Sequence, residues 1–371
     1  MQKNIFKIKF QNYWRNIDKN ILICFLILFF LGLFFSFSST SSLAGERLNK
    51  DYYFFFTKHL FFMSISVSIM LIISYLDLNI IKKTIIPLFL FFFALLVLVP
   101  LIGVEVKGAK RWLNFIFFRI QPIELIKPLF VLTIGYILSK KEISNQNFIY
   151  FVSFLLLALT SIFLIFQPDF GQTFLLSITW LSLVFISGIN LLVIFFVLIT
   201  FLSTFFLILY LFPEKFGYIM NRINAFLDPS KGDNFQTDKA LDAIRLGGVK
   251  GQGMGEGILK ERVPEAHTDY IIAVVTEEFG SITSIIIVAI FLYISFRVIK
   301  ICLKEDNDEI KISLCGLSSI LIFQMFIHIG VNISLLPTTG MTLPFLSYGG
   351  SSLIGSAILA GFILNYTKNR V

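Results

Sequence analysis

The sequence predicts an all-α integral membrane protein: a bundle of about ten transmembrane helices with a long outer loop between spans seven and eight. Three observations predict it. The 371 residues are 56% hydrophobic and only 15% charged, against about 25% charge in soluble domains. Mean hydropathy is +0.84, so the chain could not cover its own surface in water. Apolar runs long enough to span a bilayer also recur from end to end, separated by short polar loops.

A spanning helix needs about 20 mostly apolar residues. Runs of that kind fall at 20–38, 57–76, 84–103, 123–138, 148–166, 171–188, 190–212, 270–299, 311–335 and 345–366. The first follows a basic stretch, Lys3 to Lys19, as a signal peptide does. Its apolar core is long and nine spans follow, so it reads as an uncleaved anchor. The sixth and seventh are nearly fused across Ser187, Gly188 and Asn190. Residues 1–371 thus form a single polytopic domain, with 213–269 as its outer loop. The 45 Phe accompany abundant Ile, Lys and Asn and read as lipid-facing filler in place of Leu. Cys24, Cys302 and Cys315 are scattered and lack CxxC spacing, which argues against a disulfide framework or a thiolate metal site.

Basic residues in short loops set orientation. With both termini cytoplasmic, the inner side holds Lys3, Lys7, Lys9, Arg15, Lys19, Lys82, Lys83, Lys140, Lys141, Lys300, Lys304, Lys311, Lys368 and Arg370. Against that bias, Lys107, Lys110, Arg111 and Arg119 crowd one short outer loop, and Lys127 sits just inside the fourth span. An ionisable group at that depth is expensive and functional by default. A basic outer face with a partly buried cation suits a phosphate-bearing ligand; solvated surface charge is the plainer alternative for the long loop.

Four segments are polar where a plain bundle would be apolar. Gly108-Ala109-Lys110-Arg111-Trp112 runs on to Gln121-Pro122-Ile123-Glu124-Leu125-Ile126-Lys127. Glu124 and Lys127 are three apart and share a helix face, which cannot point at lipid. Gln167-Pro168-Asp169-Phe170-Gly171 breaks two spans, and Pro264-Glu265-Ala266-His267-Thr268-Asp269 leads into a span carrying Glu277 and Glu278. Leu336-Pro337-Thr338-Thr339-Gly340 precedes Leu343-Pro344 and the Ser347-Tyr348-Gly349-Gly350-Ser351-Ser352 turn. Non-helical backbone at membrane depth is tolerated only beside protein or a water-filled cavity, so these breaks predict a polar cavity opening outward. His328, inside an apolar span, reads as a hydrogen-bonded core residue, and His59 as interfacial. The glycines from Gly247 to Gly257 follow no strand and lack a GKS/T ending, so they read as a flexible loop and not a nucleotide site.

Taken together, the ordered motifs GAKRW, QPxExxK, QPDFG, PEAHTD, EEFG and LPxTGxxLPFxSYGGSS resemble the SEDS family (shape, elongation, division and sporulation) of integral-membrane peptidoglycan polymerases. The resemblance covers about residues 20 to 366. Thr342 before Leu343-Pro344, the run from Gly255 to Lys260, and Gln236 to Ala240 are more similar to the division branch than to the elongation branch. Ile123 departs from the family, which usually has Ser or another small residue there.

The resemblance implies that lipid II, a disaccharide-peptide on undecaprenyl diphosphate, is the substrate, polymerised by an inverting transfer. An acceptor hydroxyl must lose a proton while a diphosphate leaves, so the minimal site is one carboxylate plus cations, with a divalent metal as an option. No cofactor is firmly implied. Asp269 matches the family's catalytic aspartate and is the expected base. Arg111, Arg119 and Lys127 are expected diphosphate ligands, with Trp112 and Glu124 shaping the cavity. His267, Glu278, Ser347, Gly349, Gly350 and Ser351 complete the candidate set, with Asp169 a weaker member. The resemblance also implies a class B penicillin-binding protein as transpeptidase partner, together with other division proteins and membrane lipid, and location in the bacterial cytoplasmic membrane at the septum. No SxxK-type nucleophile motif is evident here, and no nucleic-acid partner is expected. Two readings stay open beside the enzyme: a lipid II flippase, and a non-catalytic division scaffold.

Overall fold

The computed structural model describes residues 11–48, 53–106, 108–115, 118–140, 145–190, 213–228, 235–259 and 263–368, with a few positions between 191 and 211. In chain order come α1 (Lys19–Leu48), α2 (Phe54–Tyr75), α3 (Leu78–Ile102), β1 (Val104–Val106), β2 (Ala109–Asn114), β3 (Arg119–Ile120) and α4 (Pro122–Leu138). There follow α5 (Gln146–Phe166), α6 (Phe170–Ile186), α7 (Pro213–Leu227), α8 (Phe235–Gly247), α9 (Ile271–Cys302), α10 (Asp308–Asn332) and α11 (Gly350–Thr367). Among the described residues, seven helices are long and apolar enough to cross a membrane, and α6 is a shorter apolar helix. The chain is a multi-pass, all-α membrane protein. The seventh expected span, 190–212, lies almost wholly outside the described residues.

Helix starts follow local chemistry. The Asp18 side chain accepts from the main-chain N–H of Asn20 and Ile21 at 3.1 and 3.2 Å and so caps α1. It also pairs with Arg297 of α9 at 2.5 Å. Asn145 caps α5 and Asn307 caps α10 in the same manner. Pro122 opens α4, where its missing N–H is not needed.

α4 is buried on nearly every side, between α3, α6, α10 and α11. One close approach explains how: a Cβ on Gly355 of α11 would lie 2.3 Å from the Glu124 carbonyl oxygen. Only glycine lets the two backbones meet there. α2 and α3 instead expose apolar residues such as Phe61, Ile72, Leu90 and Phe91, as lipid-facing helices do.

The structure departs from expectation in three places. The segment expected as a plain loop after span three forms an antiparallel sheet of order β1-β2-β3. The last span begins only at Gly350, because Leu343 to Ser347 forms a buried non-helical turn. Phe345 adopts φ 68° there, locked by ring contacts with Phe25, Phe29 and Phe291.

The third departure is in 213–269, which carries α7 and α8. The glycines expected to form a flexible loop are instead seated on a kink in α9. Gly280 has φ 81°, and Gln252 and Gly253 donate to the carbonyls of Glu277 and Glu278 at 2.9 and 3.0 Å. A Cβ on Gly280 would meet the Val249 carbonyl at 2.2 Å. Close backbone approach accounts for Gly247, Gly251 and Gly280.

Candidate functional site

The polar breaks meet at one end of the bundle. The turn before α9 is closed by Glu265, whose carbonyl accepts from the N–H of Thr268 and Asp269 at 3.0 and 3.1 Å. Asn332, at the end of α10, donates to the Asp269 carbonyl at 3.0 Å and accepts from Ala273 N–H at 3.2 Å. From the other side, Ser347 Oγ donates to the Thr268 carbonyl at 2.6 Å and accepts from Leu343 N–H at 2.8 Å. Tyr348 N–H donates to the His267 carbonyl at 2.9 Å. The backbone around half-buried Asp269 is therefore held by two separate elements.

Gly340 lies between Asp269 and Arg111. A Cβ placed on it would sit 3.6 Å from Asp269 Oδ2 and 4.0 Å from Arg111 Nη1. A carboxylate and a guanidinium thus flank one glycine, although they are far apart in sequence. Arg111 projects from β2 and is oriented by the α5–α6 break. Its Nε donates to the Gln167 carbonyl at 3.1 Å, and Nη2 donates to the Pro168 carbonyl. Nε also lies 3.8 Å from Asp169 Oδ2. Asp169 caps α6 through Gln172 N–H and accepts from Gln121 Nε2 at 3.2 Å.

Deeper in the bundle Glu124 and Lys127 pair at 2.8 Å, each side chain 5% exposed. Gln172 Nε2 donates to Glu124 Oε1 at 2.8 Å, and Lys127 Nζ donates to Gln324 Oε1 at 2.9 Å. Gln324 in turn donates to the Thr342 carbonyl at 2.9 Å. A small recess beside the pair is lined by Glu124, Lys127, Gln324, Pro344, Gly355 and Ser356. The buried charges are thus linked by neutral amides to the same 336–349 segment that lies against Asp269.

The remaining candidates divide. Ser351 Oγ accepts from Gln121 N–H at 3.0 Å and donates to the Arg119 carbonyl at 3.3 Å, tying α11 to β3. Gly349 precedes α11, and Gly350 abuts Phe62 of α2. Trp112 is half-buried and Arg119 exposed. Glu278 is not brought to the site. It sits two turns further along α9, where Ser38 Oγ donates to it at 2.7 Å. His328 is a core residue whose Nδ1 contacts the Met341 carbonyl at 2.8 Å. His59, expected at an interface, is fully buried. Among the described residues no cluster of three or more His, Cys, Asp or Glu could hold a metal ion.

Sequence reasoning missed Gln172, Gln324 and Asn332, and quoted Gln121 in a motif without giving it a role. Their one legible signal was an amide inside or beside an apolar span.

The fold and site define a polytopic membrane protein with a carboxylate and a guanidinium set at one end of its bundle. Residues 18–371 match the FtsW, RodA and SpoVE family, described as cell cycle proteins, and the chain belongs to that family. It is 33% identical over 363 residues to a probable peptidoglycan glycosyltransferase FtsW of Caulobacter vibrioides, covering 96% of this chain and 91% of that protein. A protein of the same description from Pasteurella multocida is 34% identical over 358 residues, covering 94% and 89%. In solved structures, the fold is similar to a chain of a peptidoglycan synthase complex, with TM-score 0.76 and 23% identity over 95% of this chain and 98% of that one. It is also similar to the rod shape determining protein RodA of Thermus thermophilus, with TM-score 0.66 and 22% identity over 95% and 96%.

Proposed function

We propose that this protein is an inverting peptidoglycan glycosyltransferase that polymerises lipid II at the outer face of the cytoplasmic membrane. The observation that carries this reading is the placement of Asp269 and Arg111 on either side of Gly340. Asp269 takes the proton from the acceptor sugar hydroxyl. That oxygen attacks the anomeric carbon of the donor, whose bond to the diphosphate oxygen breaks, and the diphosphate leaves with the bonding pair. A diphosphate is already a good leaving group, so cations aid it more than an acid does. Arg111 is fixed for that task by the Gln167 and Pro168 carbonyls. Arg119, exposed on β3, is assigned to the diphosphate as well, and Trp112 and His267 are assigned as flat surfaces for sugar. Lys127 is buried against Glu124 and Gln324, and Gln324 reaches the Thr342 carbonyl, so the pair is assigned the support of the 336–349 segment.

The distribution of basic residues supports cytoplasmic termini and hence an Asp269 end that faces outward. Family membership and the relatives' names support septal synthesis; similarity to a chain of a complex that coordinates polymerization and crosslinking supports a transpeptidase partner, which is assigned as a class B penicillin-binding protein.

The test uses purified protein with its cognate partner, the partner's transpeptidase blocked, and labelled lipid II in detergent. Without a sealed membrane, transport yields no product, so glycan chains support polymerisation. No chains, with a verified partner bound, would favour the flippase or the scaffold.

A further inference from the structure

His59 is the one imidazole whose burial nothing in the fold yet explains. It lies on α2 and is 0% exposed. Among the described residues neither Nδ1 nor Nε2 has a hydrogen-bond partner. A neutral imidazole carries one donor and one acceptor, and leaving buried polar atoms unsatisfied is costly. The surrounding helix shows that the chain had a simpler choice. Phe55, Phe56, Phe61 and Phe62 all lie within about a turn of His59, and an apolar ring would carry no such penalty.

What faces His59 is Tyr348, which in turn holds the turn that carries the proposed base. The His59 ring centroid lies 6.2 Å from that of Tyr348, tilted by 41°. Tyr348 lies 5.8 Å from the His267 ring, and its N–H holds the His267 carbonyl. One turn before His59, on the same helix face, Phe55 lies 4.5 Å from the His267 ring and 5.2 Å from Tyr348. No direct hydrogen bond joins the two rings, but one water can bridge a tyrosine hydroxyl to an imidazole nitrogen across a ring separation of this size. Burial pushes the Tyr348 phenol above its ordinary range, so it remains a donor at neutral pH.

We infer that His59 is a positioning residue for the reaction: it engages the Tyr348 side chain and so fixes the 267–269 turn that presents Asp269. This rests on the reading of Asp269 as the base. His59 itself touches no substrate; its effect passes through Tyr348 and the His267 carbonyl. It adds a third support, from α2, to those from Asn332 and Ser347.

The test compares wild type with His59→Phe, His59→Gln, Tyr348→Phe, the His59→Phe/Tyr348→Phe double and Asp269→Asn. Each is purified with the cognate partner and assayed for polymerisation of labelled lipid II, with melting recorded. His59→Phe keeps the ring and loses the nitrogens. It should lower kcat about tenfold, the effect of one positioning hydrogen bond, with KM within about twofold of wild type. His59→Gln restores a donor and an acceptor and should recover most of the rate. The double should be no slower than either single, because both remove the same link. A packing role would give wild-type kcat in His59→Phe, or equal loss in His59→Phe and His59→Gln, and either overturns the inference. Multiplicative effects in the double also overturn it. If His59→Phe does not fold, Tyr348→Phe carries the test, and a wild-type kcat there is the contrary result. Asp269→Asn separates the two readings. Full activity in that variant removes Asp269 as base, whereas an inactive Asp269→Asn beside an unaffected His59→Phe removes only the role of His59.

Discussion

Replacing Lys127 by Met leaves the Glu124 carboxylate buried with Gln172 as its one remaining side-chain partner. In the structure the pair is 2.8 Å apart with each side chain 5% exposed, so solvent screens it little. Removing one partner of a buried pair costs about 3–5 kcal/mol, mostly because the survivor is uncompensated. Replacing both members by residues of similar volume is often neutral or stabilising. Lys127→Met should therefore melt well below wild type, and Glu124→Gln/Lys127→Met should recover most or all of that loss. The assay is thermal melting of the purified protein in one detergent, at a fixed ratio of detergent to protein. A Lys127→Met protein that melts with wild type would refute the reasoning, because it would mean the pair is wet or unformed. A double variant as unstable as the single would refute it as well.

Two further outcomes follow from the geometry. Arg111→Lys keeps the charge but not the planar donors directed at the Gln167 and Pro168 carbonyls; KM for lipid II should rise, and an unchanged KM would detach Arg111 from the diphosphate. Gly280→Ala forces a side chain into φ 81° and against the Val249 carbonyl, a loss exceeding about 1 kcal/mol. Limited proteolysis should then cut 248–259 faster, and wild-type resistance would contradict the observed seating of that segment on α9.

Much of this architecture was legible because a bilayer imposes long apolar runs, and those runs located most of the described helices to within about six residues, although α1 runs ten residues beyond its expected end and the seventh span lies mostly outside the described residues. Asp269 and Arg111 were legible as charges beside apolar spans, where burial makes a charge conspicuous. Their meeting at Gly340 was not, since it depends on the long-range docking of β2 against the 336–349 segment. The amides Gln172 and Gln324 were invisible for the same reason: an amide gains significance only once its partner is known. Glu278 was misjudged by following the chain, because helical rise carries it away from Asp269 toward α1. His59 was misjudged by its place near a helix end, a position that says little about which face is covered. The Gly247–Gly257 run shows a further limit. Glycines that permit close backbone contact and glycines that loosen a loop look alike until the opposing backbone is seen.

The central claim is that Asp269 is the proton acceptor of a polymerase. The most direct test compares wild type with Asp269→Asn in complex with the cognate partner, its transpeptidase blocked, on labelled lipid II. Losing a general base typically slows a reaction about 100- to 10,000-fold. The variant should fall by that much while melting normally and still binding its partner. Glycan chains made at the wild-type rate by Asp269→Asn would contradict the account.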